Sequence, residues 1–261
     1  MTSYLLDLPI WLFAVVFIGG LVLLSVAMML AMRPYVQKHL GAEHNAVFDT
    51  GFSAVGTMYA IVAGLLVFGV YSTFEDAQTA SANEATNLVL MYRQAGAFPE
   101  PEREQAREAI LSYTQSVVND DWPALSDGHG SPKTDEALDR MFAVWAPMEP
   151  TAKWSDQYSS SVDELNEVLK LRNERIEDSG NALAPIYWAM LFVGGFLTIL
   201  HLSLLRLENR TMHAVAVGVT AAMLTLVLFL LVQVNHPFRG EVALSPTSFE
   251  SALDSMASIS R

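Results

Sequence analysis

The chain has no cysteine among its 261 residues. That absence excludes disulfides, thiolate metal sites, cysteine nucleophiles and iron–sulfur clusters together. Charge is scarce as well. Asp, Glu, Lys and Arg make up 16% of the sequence against 52% hydrophobic residues, and the apolar residues fall in four blocks, which is a membrane composition. Basic residues are the rarer sign, 15 against 28 acidic, so nothing supplies the footprint that a nucleic-acid partner needs. Of the net charge of −13, −12 lies in residues 73–185, which hold 21 Asp or Glu and 9 Lys or Arg. Catalytic signatures are missing too: there is no G-x-S-x-G, H-E-x-x-H, P-loop or G-x-G-x-x-G. With no nucleophile and base or open metal position spelled out, the chain is not read as an enzyme, and no cofactor is implied.

What is present begins with length. Residues 10–32 carry no charge, and at about 1.5 Å per residue they make a helix of roughly 34 Å, enough for a ~30 Å hydrocarbon core. Residues 52–72, 186–205 and 214–234 pass the same test. The first run is read as a retained span, because Asp7 and no Lys or Arg precede it and it exceeds a signal-peptide core. Arg33 and Lys38 in loop 33–51 and Arg206 and Arg210 in loop 206–213, with no Lys or Arg in 1–9 or 73–92, place the short loops in the cytoplasm. Both termini and the intervening domain are then outside. The fold class predicted is all-α, four transmembrane helices with a helical extramembrane domain inserted between spans two and three. The divisions are 1–72, 73–185, 186–234 and a tail at 235–261.

Within the domain, no Gly or Pro interrupts 70–95, and Phe74, Ala77, Ser81, Ala85, Leu88 and Tyr92 recur at helical steps, so the second span runs on as one helix into water. Further helices are expected over about 101–119, around Leu138–Trp145, and through Val162, Leu165, Leu169, Arg172 and Ile176 toward Pro185, where the chain turns into the third span. Residues 120–134 read as a loop by their Gly, Pro, Ser and Asp content.

Few residues suggest chemistry. His129 beside Asp120, Asp121 and Asp127 offers at most a loose cation site without EF-hand spacing, and a solvated loop is the plainer reading. His39, Glu43 and His44 read as loop surface. His201 is the one titratable group at depth in a span, bonded to a neighbour or snorkelling to the interface. No span carries a carboxylate, which counts against proton-coupled transport. The second span presents Ser53, Gly56, Thr57, Ala60 and Gly64, a small-xxx-small face that either packs helices closely or lines a conduit between copies. Glu75, Asp76 and Glu84 follow on the same helix as candidates for an acidic pore mouth. After Val234, the sequence His236-Pro237-Phe238-Arg239-Gly240 stops the helix and turns, laying Phe238 at the interface, with Phe249 and Leu253 packing on the domain as a clasp.

Taken together, Tyr59-Ala60, Ala77, Glu84-Ala85, Met91-Tyr92-Arg93, Phe98-Pro99, Tyr113, Trp122, Arg172 with Arg175, Pro185 with Trp188, Gly194-Gly195, His236 to Gly240, Pro246 and Phe249 resemble the bacterial bestrophin-like membrane family over nearly the whole chain. The resemblance implies a helical homo-oligomer with four spans per subunit, and at greater distance the bestrophins, pentameric anion channels. Two features depart from bestrophins: the charge count puts the domain outside, and no aromatic and isoleucine pore neck is found. The expectation is a self-associating, channel-like protein of the bacterial plasma membrane, in contact with lipid and small ions, with cations favoured. The alternative is a non-conducting scaffold or sensor that binds a partner through its acidic domain.

Overall fold

Each of the four uncharged runs folds into a helix long and apolar enough to cross a membrane. In a computed structural model that describes residues 9–260, these are α1 (Ile10–His39), α2 (Asn45–Gln94), α7 (Pro185–Ser203) and α8 (Arg210–Val234). Between α2 and α7 come α3 (Glu102–Ser116), a π turn (Val117–Asp121), α4 (Trp122–Leu125), α5 (Pro132–Trp145) and α6 (Ser155–Gly180), and α9 (Thr247–Ile259) closes the chain. Among the described residues all regular structure is helical. Asp7 and the segment 1–8 used in the charge count lie outside the described residues, as does Arg261.

The described chain divides into two compact units, one formed up to Ser72 and by Leu183–Asn235, the other by Thr73–Ala182 and the chain from His236. In the first, α1 packs chiefly on α8 and α7 contacts both. Met29, Ile199, Leu202, Val217 and Ala221 close its core. One end of this unit is tied by polar contacts: Arg33 Nη2 donates to the Glu208 carbonyl at 2.8 Å, Arg206 Nη1 to that of Leu40 at 2.7 Å, and Asn45 exchanges two bonds with the Arg206 backbone. Asn209 caps α8, its Oδ1 accepting from the Thr211 and Met212 amides, which satisfies two donors that the helix cannot.

The second unit has a conventional interior. Leu88 and Met91 of α2, Ile110 and Tyr113 of α3, Met141 of α5, Val168 of α6 and Phe249 of α9 are fully buried, each contributing on the order of 1.5–3 kcal/mol of burial. Trp145 donates to Ser161 Oγ at 2.8 Å, so its indole N–H is satisfied inside.

The uninterrupted run 70–95 does form one helix with the second span, since α2 extends for 50 residues. Two expectations are corrected. Residues 120–134 are not a plain loop: Asp121 closes a π turn and Trp122–Leu125 is helical, because both Asp121 and Leu125 have buried positions to fill. The last domain helix does not run to Pro185. It ends at Gly180, and 181–184 are non-helical before Pro185 starts α7, as expected where Pro disfavours helical backbone before it. The tail carries the 13-residue α9, which buries Phe249, Ala252 and Met256; Phe249 joins the core of the domain as expected, and Leu253 is half-buried.

Candidate functional site

In the span half of α2 the buried positions are Tyr59, Ala63 and Val70. Tyr59 lies against α7, where a Cβ on Gly194 would collide with its ring and one on Gly195 would lie 3.5 Å from its hydroxyl. Gly194 is therefore the notch that admits the ring, while a Cβ at Gly195 would make ordinary contact. The small-residue face points elsewhere. Ser53, Thr57, Ala60 and Gly64 are exposed and Gly56 is half-exposed, and a Cβ built at Gly56 or Gly64 meets nothing within 4 Å. Thr57 Oγ1 bonds back to the Ser53 carbonyl at 2.7 Å, so this hydroxyl is satisfied without a neighbour. Among the described residues, no other helix comes within 4 Å of a Cβ at either glycine. His201, singled out on α7, has its Nδ1 3.0 Å from the Leu197 carbonyl and its ring near Gly51.

The three carboxylates assigned to a pore mouth separate. Glu75 and Asp76 are exposed. Glu84 is fully buried, and its place at a mouth is withdrawn, because its helix position is that of Ala77, Ser81 and Leu88, which face the core. It accepts from Tyr113 Oη at 2.7 Å and forms a two-pronged pair with Arg175, Nε to Oε2 at 2.9 Å and Nη2 to Oε1 at 3.2 Å. Arg175 also reaches Asp121 Oδ2 at 3.1 Å. Arg172 holds the same Asp121 through Nη2 at 3.0 Å and Nε at 3.2 Å, and takes Asp135 through Nη1 at 2.6 Å. The Ser131 amide completes Asp121 at 2.7 Å. Two buried cations and two buried anions thus balance, which is what makes their burial tolerable. Arg175 Nη1 finds no acceptor; instead the rings of Phe249 and Trp122 cover the guanidinium at 5.4 and 5.6 Å, a cation–π arrangement. Burial pushes Arg175 down, but Glu84, Tyr113 and Asp121 outweigh it and its pKa rises. Tyr113 is pushed well up, by burial and then by the Glu84 charge.

Sequence reasoning missed this network. The signal was Arg172 inside the apolar stripe of α6, with Arg175 one turn on, since a cation at a core position requires a buried anion. Asp120 and Asp121, considered for a loose cation site with His129, are engaged with Lys133 and with the two arginines, and the His129 ring lies 3.1 Å from the Gly130 carbonyl.

Asp76 and Asp178 face one cleft of about 410 Å3 with Glu174, Glu177, Thr79 and Asn83. Desolvation, then Asp76, Glu177 and Glu174, raise the Asp178 pKa to about 6. In the tail, Gly240 takes φ +95°, a left-handed conformation natural to glycine, and the Leu244 amide returns to the Pro237 carbonyl at 2.8 Å. Phe238, expected at the interface, packs inside the second unit. It is buried edge-on to Trp122 at 5.2 Å, and Trp122 in turn donates to the Leu244 carbonyl at 3.0 Å. Aromatic packing on the second unit claims Phe238. The His236 pKa is lowered by burial and then by Arg239.

Comparison with known proteins bears on most of the chain. The family model of the Bestrophin-like domain matches residues 19–249. A solved structure of a bacterial bestrophin homolog from Klebsiella pneumoniae with a single substitution is similar at 16% identity and a TM-score of 0.74, covering 93% of this chain and 98% of that one. A second structure of that homolog matches at 15% identity and a TM-score of 0.72 with the same coverage. At such identities the likeness is one of fold. No match is found among curated proteins.

Proposed function

Because the chain belongs to the Bestrophin-like family, we propose that it is a self-associating, channel-like protein of the bacterial plasma membrane that passes small ions and favours cations. In this reading α1, α2, α7 and α8 span the bilayer, the acidic domain is inserted between spans two and three, and the short loops with Arg33, Lys38, Arg206 and Arg210 are cytoplasmic. The domain and both termini are outside. Copies of α2 stand nearest the symmetry axis.

The observation that carries the reading is the exposed face of Ser53, Gly56, Thr57, Ala60 and Gly64, with open space at both glycines. Inside a membrane such a face lets backbones approach and leaves a narrow conduit lined by hydroxyls. Large apolar side chains serve better where only lipid is the neighbour, and α2 has these at Met58, Ile61, Leu65 and Phe68. Glu75 and Asp76 supply negative charge on the same helix, and the −12 of residues 73–185 acts in the same sense, concentrating cations and repelling anions.

Reconstitution into liposomes with a flux readout tests this. Cation flux exceeding chloride flux is expected. Replacing Glu75 by Gln and Asp76 by Asn shifts the reversal potential in a salt gradient toward the anion side, by less as ionic strength rises, because exposed charge is screened over ~8 Å at 0.15 M. Chloride selectivity in the parent contradicts the charge argument. Absence of any flux favours the scaffold or sensor reading, in which the acidic domain binds a partner.

A further inference from the structure

The first unit contains an apolar cavity of about 390 Å3 between α1, α7 and α8, lined among others by Leu24, Met28, Phe196, Ile199, Leu224 and Leu228. Its two hydroxyl-bearing residues turn away from any ligand: Ser25 donates to the Leu21 carbonyl at 2.8 Å and Thr225 to that of Ala221 at 2.7 Å. The cavity opens sideways, since Leu24 is 64% and Phe196 55% exposed. In a bilayer that opening faces lipid chains.

Charge distinguishes one end of this cavity from the other. Following each lining helix out of it, the first charged residue is Arg33 beyond Met28 on α1, Arg206 beyond Ile199 after α7, and Arg210 before Ala221 on α8. In the opposite direction, residues 10–20, 185–190 and 229–235 carry no Asp, Glu, Lys or Arg. The bond from Arg33 to the Glu208 carbonyl brings α1 against the segment that bears the other two arginines. Glu208, between them, and Glu43 and Asp49 in the neighbouring loop and at the start of α2 are the acids at this end. Along α1 the lining from Met28 back to Leu21 lies five to twelve residues from Arg33. That is about 7.5 to 18 Å below it, the depth of one leaflet of a ~30 Å core.

We propose that this cavity is a binding site for an anionic phospholipid of the bilayer, with one acyl chain in the cavity and the phosphate on the rim formed by Arg33, Arg206 and Arg210. The apolar walls take the chain, and the one-sided arginines fix the headgroup end. Guanidinium suits this role because its planar fork matches phosphate oxygens. The site does not depend on whether the protein conducts.

Native mass spectrometry of the full chain, released from detergent after exposure to phosphatidylglycerol or to phosphatidylcholine with the same chains, tests the proposal. Retention of phosphatidylglycerol by about tenfold or more over phosphatidylcholine is expected. The exposed Arg210 makes neither of the carbonyl bonds that tie this end, so Arg210→Gln leaves the fold in place and lowers that preference by about fivefold. Ser25→Leu, which fills the cavity with apolar bulk, removes retention of both lipids. Equal retention of the two lipids by the parent, or an unchanged preference in Arg210→Gln, overturns the proposal. So does a parent that retains neither lipid; a changed oligomeric mass in Ser25→Leu then shows that a second copy covers the cavity. Should Ser25→Leu fail to fold, the Arg210→Gln comparison decides alone.

Discussion

The two halves of α2 obey opposite rules within one helix. From 45 to 72 it buries three positions and leaves Met58, Ile61, Leu65 and Phe68 more than half exposed; from 73 to 94 it buries Ala77, Ala80, Ser81, Glu84, Ala85, Leu88, Met91 and Tyr92. Hydropathy falls from one half to the other, and the meaning of exposure changes with it. In the first half the surrounding medium is lipid, so apolar side chains face outward without cost, and in the proposed assembly small residues mark where another backbone can approach. In the second half the medium is water. Apolar side chains turn inward there, and a charge enters the interior only with its partners already in place.

The sharpest way to break the comparison is to remove one partner of the buried network. Arg175→Met leaves Glu84 buried without its cation, and a loss of about 3–5 kcal/mol is expected. Chemical denaturation followed by tryptophan fluorescence reads it, since Trp122 lies beside Arg175. A loss below ~1 kcal/mol shows that the network is not what holds α2 to α6 and the π turn.

Replacing Gly56 and Gly64 together by Leu tests the other half. Among the described residues, nothing beyond the neighbouring backbone of α2 itself lies within 4 Å of either added Cβ, so the subunit keeps its thermal midpoint. The oligomer loses about 1–3 kcal/mol per site from overpacking between copies. Size-exclusion chromatography with light scattering separates these outcomes. An unchanged oligomer means that the face meets lipid.

A smaller effect is expected at the acidic cleft. The Asp178 pKa is raised in the folded state to about 6, so the folded protein holds this proton more tightly than the unfolded one. The stabilisation is complete below about pH 4 and is lost as pH rises through about 6. Asp178→Asn therefore stabilises the protein near pH 7–8, by about 1 kcal/mol once the solvent exposure of the group is allowed for, and by nothing near pH 4. Equal stability of variant and parent across pH 4–8 sinks this assignment.

Much of the helical order was legible because it rests on one-dimensional signals: uncharged runs of about 20 residues, stripes at three and four, and Pro or Gly at the ends. Even the continuation of α2 from span to domain followed from the lack of a breaker between 70 and 95. What escaped depends on partners distant in sequence. Glu84 looked like an exposed acid because its cation lies 91 residues away, in Arg175. Asp121 in a stretch rich in loop residues is buried because Arg172, Arg175 and the Ser131 amide converge on it. Phe238, expected at the interface as part of the tail clasp, is packed by Trp122, more than a hundred residues earlier. Pairing of this kind leaves no periodicity to read.

The lack of cysteine makes the most direct test simple, since any cysteine introduced is the only one. Thr57→Cys on the exposed small face of α2 and Trp11→Cys on the exposed face of α1 can be compared in membranes by oxidative cross-linking. If α2 stands nearest the symmetry axis, Thr57→Cys forms a disulfide between copies and Trp11→Cys does not. Cross-linking at Trp11 with none at Thr57 contradicts the account.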